Sequence, residues 1–332
     1  MSQTTSVGAR AQRIRRRTAG WTTLSGVAIL VGAALTALSW RAELPDPVAS
    51  HWGANGAVNG FSSLSSVVAV MLLGGLVLVL GFGAIMFWLG QSAFARRVGA
   101  AATTWSVLFV TTLTLGSLSL QRGLDDARDT GGIDGVLLLA FAGSFLAAVL
   151  VGVSVPGDPR QPTSEPVETT APRVPLVGGA PARWTGSATS ATGISVGLAA
   201  AALVLGLVML THFWALLVVV VVLFAVIVAM SSVVVRVDDH GVAIRSPLGW
   251  PRMRVPLDEV RRADVTDVRP LRDFGGWGWR VGRSGRIGVA LRRGESLLVE
   301  RTGGRSVVVT VDDARAAAGL INALTDRARR VG

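Results

Sequence analysis

Acid–base chemistry in this chain would have to come from histidine and carboxylate side chains in its polar loops. His51 is the most conspicuous of them, because it lies in a loop rich in proline, asparagine and glycine. General acid–base catalysis needs a second group within reach of the same substrate, and no fixed spacing links His51 to a carboxylate. The sequence therefore predicts a protein without enzymatic activity. An enzyme is the alternative hypothesis, and its candidate residues are His51, Asp46, Asp125 and Asp126.

Residue types that commonly hold metals or form disulfides are scarce. The chain has no cysteine, which excludes disulfides, thiolate nucleophiles and cysteine-based zinc sites. Its three histidines, His51, His212 and His240, lie far apart in the sequence. We therefore predict neither a metal site nor a bound cofactor.

The composition indicates several membrane spans. Half of the 332 residues are hydrophobic and 16% are charged, where a soluble domain carries about 25% charged residues. The formal net charge is +11, and every basic residue is an arginine. Six apolar runs are long enough to cross a hydrocarbon core of about 30 Å. They are residues 21–40, 64–89, 98–120, 136–155, 191–210 and 213–235.

These six runs contain no Asp, Glu, Lys, Arg or His. An ionisable residue inside a span usually marks a transport or proton pathway, so the pattern argues against an ion pump, a proton-coupled transporter and a voltage sensor. A cleaved signal peptide is the alternative for the first run, which is longer than the roughly 7–15 apolar residues of such a segment. Only Thr211 and His212 separate the last two runs, which predicts a tight helical hairpin.

The arginines predict the orientation of the spans, because short loops with excess basic residues stay in the cytoplasm. The segments predicted inside are the basic tail (residues 1–20), the loop with Arg96 and Arg97, residues 156–190 and residues 236–332. The loops predicted outside are those with His51, Asp125 and His212. Residues 156–190 are rich in Pro, Thr and Gly and have no hydrophobic period, which predicts a disordered linker.

The outer loop around His51 carries two turn signals, Asn55-Gly56 and Asn59-Gly60. Prolines hold the chain extended where it leaves the first span. Three roles for His51 are open. It can bond a turn carbonyl and fix the loop, it can sense a ligand or a peptide, or it can serve a metal site or catalysis.

This loop resembles the bacterial membrane domain of unknown function that also occurs in SdpI-type immunity proteins. The resemblance covers about the first 90 residues, and its matching residues are Leu44, Pro45, His51, Gly56 and Ser62 or Ser63. Val48-Ala49 replaces a hydrophobic-Pro pair, Asn59 stands where Asp is usual, and the final Lys is missing. The resemblance implies a ligand-binding or sensing site made of His51, Pro45, Gly56 and Asn59.

The carboxyl-terminal region changes to the alternation typical of strands, followed by one amphipathic helix. The predicted strands are residues 233–237, 242–245, 252–255, 287–291, 296–300 and 306–309, with a further turn and strand within 257–268. Gly294-Glu295 and Gly303-Gly304 are predicted hairpin turns. Thr310, with Asp313 three residues on, predicts the start of the helix, whose apolar face is Ala317, Leu320, Ile321 and Leu324.

This order of strands, with a two-span hairpin directly before it, resembles a bacterial pleckstrin-homology-like (PH-like) domain. Residues 236–332 hold 19 Arg and 12 acidic residues, a net charge of +7. A basic domain tethered at the inner leaflet is drawn to anionic lipid, and the candidate lipid contacts are Arg236, Arg252 and Arg254. The membrane tether argues against a nucleic-acid partner.

The sequence thus predicts a polytopic α-helical protein of the cell membrane. It has six transmembrane helices and a cytoplasmic, β-rich, PH-like barrel or roll capped by one helix. The predicted function is non-enzymatic envelope sensing or scaffolding, in which the PH-like domain docks a partner or anionic lipid. Membrane lipids are the expected partners, with an envelope peptide or protein as a further one. The alternative function is an immunity or transport-type protein that protects against membrane-active peptides.

Overall fold

The computed structural model of the chain describes residues 2–53, 55–176, 182–211, 214–282 and 286–331. It divides into two units. One is Gln12–Gly157 with Ala201–Val222, and we call it the helical unit. The other is Met1–Ala11, Asp158–Ala200 and Leu223–Gly332, and we call it the β unit.

Helices and one hairpin build the amino-terminal half. The helices are α1 (Ser2–Ser39), α2 (Leu64–Leu89), α3 (Ala93–Ser119) and α4 (Asp134–Ser154). The strands β1 (Val48–Trp52) and β2 (Val58–Ser62) form an antiparallel hairpin between α1 and α2. Short 3-10 helices, Arg41–Glu43 and Ala127–Asp129, lie in the loops before the hairpin and between α3 and α4.

Close packing of α2 on α1 depends on a glycine. A Cβ atom at Gly75 would lie 2.4 Å from a methyl group of Leu30, so α2 could not approach α1 as closely with a larger residue there. Leu30, Val79 and Val107 form a buried cluster that joins α1, α2 and α3. The outward side chains of these helices are mostly apolar and exposed, as expected for helices that face lipid.

Five helices of the described residues are long and apolar enough to cross a membrane, which indicates a multi-pass membrane protein. They are Ala9–Ser39, Leu64–Leu89, Ala93–Ser119, Asp134–Ser154 and Ala191–Leu210. The sixth predicted span is a shorter apolar helix, α6 (Leu217–Ser231). Its 15 residues measure about 22 Å at 1.5 Å per residue, and residues 232–235 belong to a strand instead of a span. His212, the predicted turn, lies outside the described residues.

Two helix starts differ from the prediction. α1 runs without a break from Ser2, so the predicted tail of residues 1–20 is helical. α3 begins at Ala93, and Arg96 therefore lies in its first turn instead of a loop. Arg96 is buried because its guanidinium donates to backbone carbonyls that include Gly90 O (3.3 Å) and Pro156 O (3.2 Å).

The β unit contains two sheets and the carboxyl-terminal helix. The four-stranded sheet is antiparallel in the order β3 (Trp184–Thr189), β4 (Ser232–Asp238), β5 (Gly241–Arg245), β6 (Arg252–Val255). The five-stranded sheet has the order β7 (Val260–Val268), β10 (Gly294–Arg301), β11 (Ser306–Thr310), β9 (Ile287–Ala290), β8 (Gly278–Val281). The β unit also holds α7 (Pro270–Phe274), α8 (Ala314–Val331) and the 3-10 helices Leu257–Glu259 and Thr302–Gly304. α5 (Ala191–Thr211) is divided between the two units, and the 3-10 helix Trp214–Leu216 belongs to the helical unit.

The predicted disordered linker (residues 156–190) is corrected by the structure. Its last part is strand β3, which pairs with β4 along its whole length. Its first part packs on the β unit, where Val167 and Ala171 are buried and the Thr163 amide donates to Asp258 O (2.7 Å). The composition of this segment predicts that it cannot form a hydrophobic core of its own. Composition does not reveal that the segment packs against the core of the β unit.

Two details of the predicted β region are also wrong. Gly294-Glu295 does not close a hairpin, because β9 pairs in parallel with β11 and β10 pairs with β7 and β11. Thr310 does not start α8, because it ends strand β11 and accepts a hydrogen bond from the Leu291 amide. The Asp313 side chain accepts from Ala316 N instead (3.4 Å). The other strands and the helix lie where the alternation and the apolar face predict them.

Candidate functional site

The hairpin β1–β2 contains the predicted His51 site, and only one of its two turn signals is a turn. At the tip, Gly56 has φ +76° and its amide donates to Gly53 O (3.0 Å). Asn59 and Gly60 lie within β2 instead. Gly60 pairs with His51 across the hairpin, and a Cβ atom there would lie 2.8 Å from His51 Cβ. The second glycine therefore makes room for the histidine.

His51 and Asn59 meet across the hairpin. His51 is exposed, and its Nδ1 lies 2.5 Å from Asn59 Oδ1. The structure thus joins two of the four predicted site residues through their side chains, and the partner of His51 is an amide instead of a turn carbonyl. Gly56 lies at the tip of the hairpin, and Pro45 is buried before β1. Among the described residues, no carboxylate bonds to His51, so an acid–base pair is not assembled around it.

Gln121 holds the hairpin on the end of α3, and sequence reasoning missed it. Its side-chain amide accepts from Ala49 N (2.7 Å) and donates to Ala49 O (3.0 Å). It also donates to Ser117 O (3.0 Å), and Gln121 is fully buried. The amide thereby replaces the backbone partner that an edge strand lacks. The sequence could not reveal this role, because a single glutamine after an apolar run is not part of any periodic pattern.

Charged residues around the hairpin make local structural contacts. Arg122 forms an ion pair with Glu43 (2.6 Å), and the guanidinium of Arg128 lies over the Phe61 ring, 5.5 Å from its centroid. A backbone hydrogen bond from Arg128, with the charge of its guanidinium, lowers the pKa of Asp126. Asp126 is thus a capping residue of a 3-10 helix, a role that accounts for it without catalysis.

The predicted lipid contacts lie on one face of the four-stranded sheet. Alternate residues of β4, Val235 and Val237, point to the core, so Arg236 between them is exposed. Arg236 pairs with Ala243 of β5, and Ala243 pairs with Arg254 of β6. The three residues therefore form one row across the outer side of the sheet.

A second row on the same face adds an arginine that sequence reasoning did not select. Arg245 of β5 pairs with Val234 on one side and with Arg252 on the other. The alternation of β5, in which Val242 and Ile244 are buried, could have indicated it. We define the arginine face as the exposed outer side of this sheet with Arg236, Arg245, Arg252 and Arg254.

The arginine face carries positive charge that is not engaged in ion pairs. Within the described part of the chain, none of its four guanidinium groups forms an ion pair. Arginines elsewhere in the β unit are commonly paired, such as Arg262 with Glu168 (2.8 Å) and Arg173 with Asp326 (2.7 Å). On the β3 side of the arginine face the exposed neighbours are the hydroxyl side chains Thr185 and Ser187, and at the far end of β4 the partly exposed Asp238 lies on the same side as Arg236. The surface is thus suited to an anionic partner.

Comparison with known proteins identifies the segment that holds the hairpin. Residues 27–75 match the family model described as a domain of unknown function, DUF1648. No curated protein and no solved structure matches the chain. The matched residues comprise the last third of α1, the hairpin and about the first half of α2. Residues 27–75 are therefore similar to the DUF1648 family, and they lie within a multi-pass membrane protein.

Proposed function

We propose that this chain is a non-enzymatic protein of the cell membrane that holds a PH-like domain against anionic lipid. Its arginine face is the docking surface, and the lipid belongs to the membrane that α5 and α6 cross. The observation that carries the proposal is the direct passage of α6 into β4 at Ser231 and Ser232, which leaves no linker between the apolar helix and the sheet.

Distances along the strand support the docking surface. Val234, with Arg245 and Arg252 in its row, lies two residues from the start of β4. At about 3.3 Å per residue, this row is about 7 Å from Ser232, the first residue of β4, and the row of Arg236 is about 13 Å from it. Surface charges act over a Debye length of about 8 Å at physiological salt. The first row therefore lies within range of lipid headgroups.

The six-span and PH-like parts of the proposal have separate support. α6 packs beside α5, since a Cβ atom at Gly197 would lie 2.4 Å from Ile227. The Ser190 amide also donates to Ser231 O (2.8 Å) where both helices meet the sheet. With the 3-10 helix Trp214–Leu216 before it, α6 can cross a locally thinned bilayer. Two sheets and one terminal helix are the layers expected of a PH-like fold.

Arginine distribution supports the sidedness. We propose that the β unit and the amino terminus are cytoplasmic, since most of the basic excess lies there. The hairpin with His51 and Asn59 then faces the cell envelope, where its exposed side chains can contact a peptide or another envelope component.

Neutralising part of the arginine face should weaken docking. Each basic residue near an anionic surface contributes on the order of 1 kcal/mol, so Arg252→Gln with Arg254→Gln should cost about 2 kcal/mol, or roughly 30-fold in the docking equilibrium. Because the chain has no cysteine, a Ser187→Cys variant can carry one environment-sensitive dye on this face. The full chain is placed in nanodiscs, and the emission shift is followed as the fraction of phosphatidylglycerol rises.

A matched control separates position from charge. Arg286→Gln with Arg330→Gln removes the same charge from exposed residues outside the arginine face and should leave the lipid titration unchanged. An equal loss in both double variants would mean that only net charge matters. Dye emission that does not change as the fraction of anionic lipid rises would contradict lipid docking. The partner of the arginine face would then have to be a protein.

A further inference from the structure

The turn between β5 and β6 carries exposed apolar side chains at one end of the arginine face. It consists of residues 246–251, and the exposed fractions of Leu248 and Trp250 are 58% and 52%. We infer that this turn inserts Leu248 and Trp250 into the boundary between lipid headgroups and acyl chains. The inference rests on the proposed docking of the β unit, and it adds a contact between the turn and the apolar layer of the bilayer.

Strand direction puts the turn at the membrane end of the sheet. β4 leaves α6 at Ser232 and runs away from it, and β5 returns antiparallel, so that Arg245 is level with Val234. The turn continues beyond Arg245 by at most three residues on each side, or about 10 Å. Ser232 lies about 7 Å beyond Val234 in the same direction. The tip of the turn therefore reaches the level at which α6 ends.

The side chains of the turn suit the interface of a bilayer. Tryptophan is enriched at the headgroup level because one end of its ring system is apolar and the other donates a hydrogen bond. Arg245 and Arg252 flank the turn as a cross-strand pair. Their guanidinium groups can bind phosphate while Leu248 and Trp250 enter the apolar layer, because long basic side chains keep their charged ends in the headgroup region.

The turn is already organised for such a contact. The Ser246 amide donates to Pro251 O (2.9 Å), and the Gly249 amide donates to Ser246 O (2.9 Å). The Leu248 amide donates to Ser246 Oγ (3.3 Å), and Ser246 is fully buried at the base of the turn. Since an unpaired amide is costly to move out of water, these bonds reduce the cost of inserting the tip.

The turn at the opposite end of the same sheet has a different chemistry. β4 ends at Asp238, and the residues between β4 and β5 are Asp239 and His240. The Asp238 side chain accepts from the His240 amide (2.9 Å). Apolar residues therefore occupy only the turn that lies at the end of α6. This difference between the two ends fits a bilayer that lies at the α6 end of the sheet.

Nitroxide-labelled lipids can test the insertion in the full chain. A dye is attached through Leu248→Cys, through His240→Cys in the opposite turn, or through Ser187→Cys on the arginine face. The chain is reconstituted in vesicles of equal parts phosphatidylglycerol and phosphatidylcholine. We expect nitroxides near the headgroup boundary to quench the dye at position 248 at least several-fold more than the dye at position 240.

The three probes separate the two hypotheses. If the Ser187→Cys probe responds to anionic lipid while the position 248 probe is not quenched, the insertion is wrong and docking stands. If neither responds, both are wrong. As a second readout, Trp250→Ala should weaken docking about tenfold through lost apolar contact, and His240→Ala should not weaken it. An unchanged titration for Trp250→Ala would also overturn the insertion.

Discussion

Replacing Glu259 by glutamine should destabilise the β unit by about 3–5 kcal/mol, the usual cost of removing one partner from a buried ion pair. Glu259 is 2% exposed. Its carboxylate binds Arg301 (2.5 Å) and Arg305 (3.2 Å) and accepts from Gln161 N (2.9 Å). Glutamine keeps the shape and removes the negative charge that Glu259 places beside the buried guanidinium of Arg301 and the half-buried one of Arg305.

Hydrogen exchange of strands β7 and β10 in the full chain would measure this loss. Amide hydrogens of β7 and β10 that exchange when the β unit opens should exchange about 100-fold to a few thousand-fold faster in Glu259→Gln than in the unchanged chain. Asp258→Asn is the matched control, because the ion pair of Asp258 with Arg160 is exposed and such pairs contribute at most about 1 kcal/mol. Equal exchange rates in the two variants would contradict the role of the buried cluster.

The same carboxylate should make the β unit sensitive to acid. Burial alone would raise the pKa of Glu259, but hydrogen bonds from Arg301 and Gln161 and the charges of Arg301 and Arg305 hold it below its ordinary value of 4.5. A lowered pKa in the folded state means that the stabilisation is complete above about pH 4.5 and is lost as the pH falls through the folded pKa. Glu259→Gln should lack this dependence on pH.

Gln121→Ala should detach the β1–β2 hairpin from α3. It leaves the buried N–H and C=O of Ala49 without partners, and each unpaired buried group costs about 1–3 kcal/mol. We expect a local loss of about 2–6 kcal/mol, measured as hydrogen exchange of the Ala49 amide that is at least roughly 30-fold faster. Gln91→Ala is the control, because the Gln91 side chain is exposed. Slow exchange at Ala49 in Gln121→Ala would show that the hairpin is held by other contacts.

Much of the β unit could be predicted because its strands alternate. Burial of every second residue in β4 follows from the sequence Val233-Val234-Val235-Arg236-Val237, and the same pattern predicts which arginines are exposed. Pairing between strands could not be predicted in the same way. β9 pairs in parallel with β11, although β10 lies between them in the sequence. Gly294, the first residue of β10, is compatible with a hairpin and equally with this crossover connection.

Side-chain amides that bond to backbone are the features that the sequence concealed. Asn322 of α8 accepts from Ala263 N (2.8 Å) and donates to Ala263 O and Pro172 O (both 2.8 Å), as Gln121 does for Ala49. In each case one residue satisfies backbone groups far away in sequence. The bond from Asn322 to Pro172 is one of the contacts that hold residues 158–176 on the β unit, although their composition predicts disorder.

Sidedness is the central claim of the proposed function, and labelling of single cysteines in intact cells tests it most directly. The natural chain has no cysteine, so Ser50→Cys reports on the hairpin and Glu295→Cys on the β unit, both at exposed positions. A membrane-impermeant thiol reagent should label the Ser50→Cys variant in intact cells. It should label the Glu295→Cys variant only after the cells are permeabilised. Labelling of Glu295→Cys in intact cells would put the β unit outside and would contradict docking at the inner leaflet.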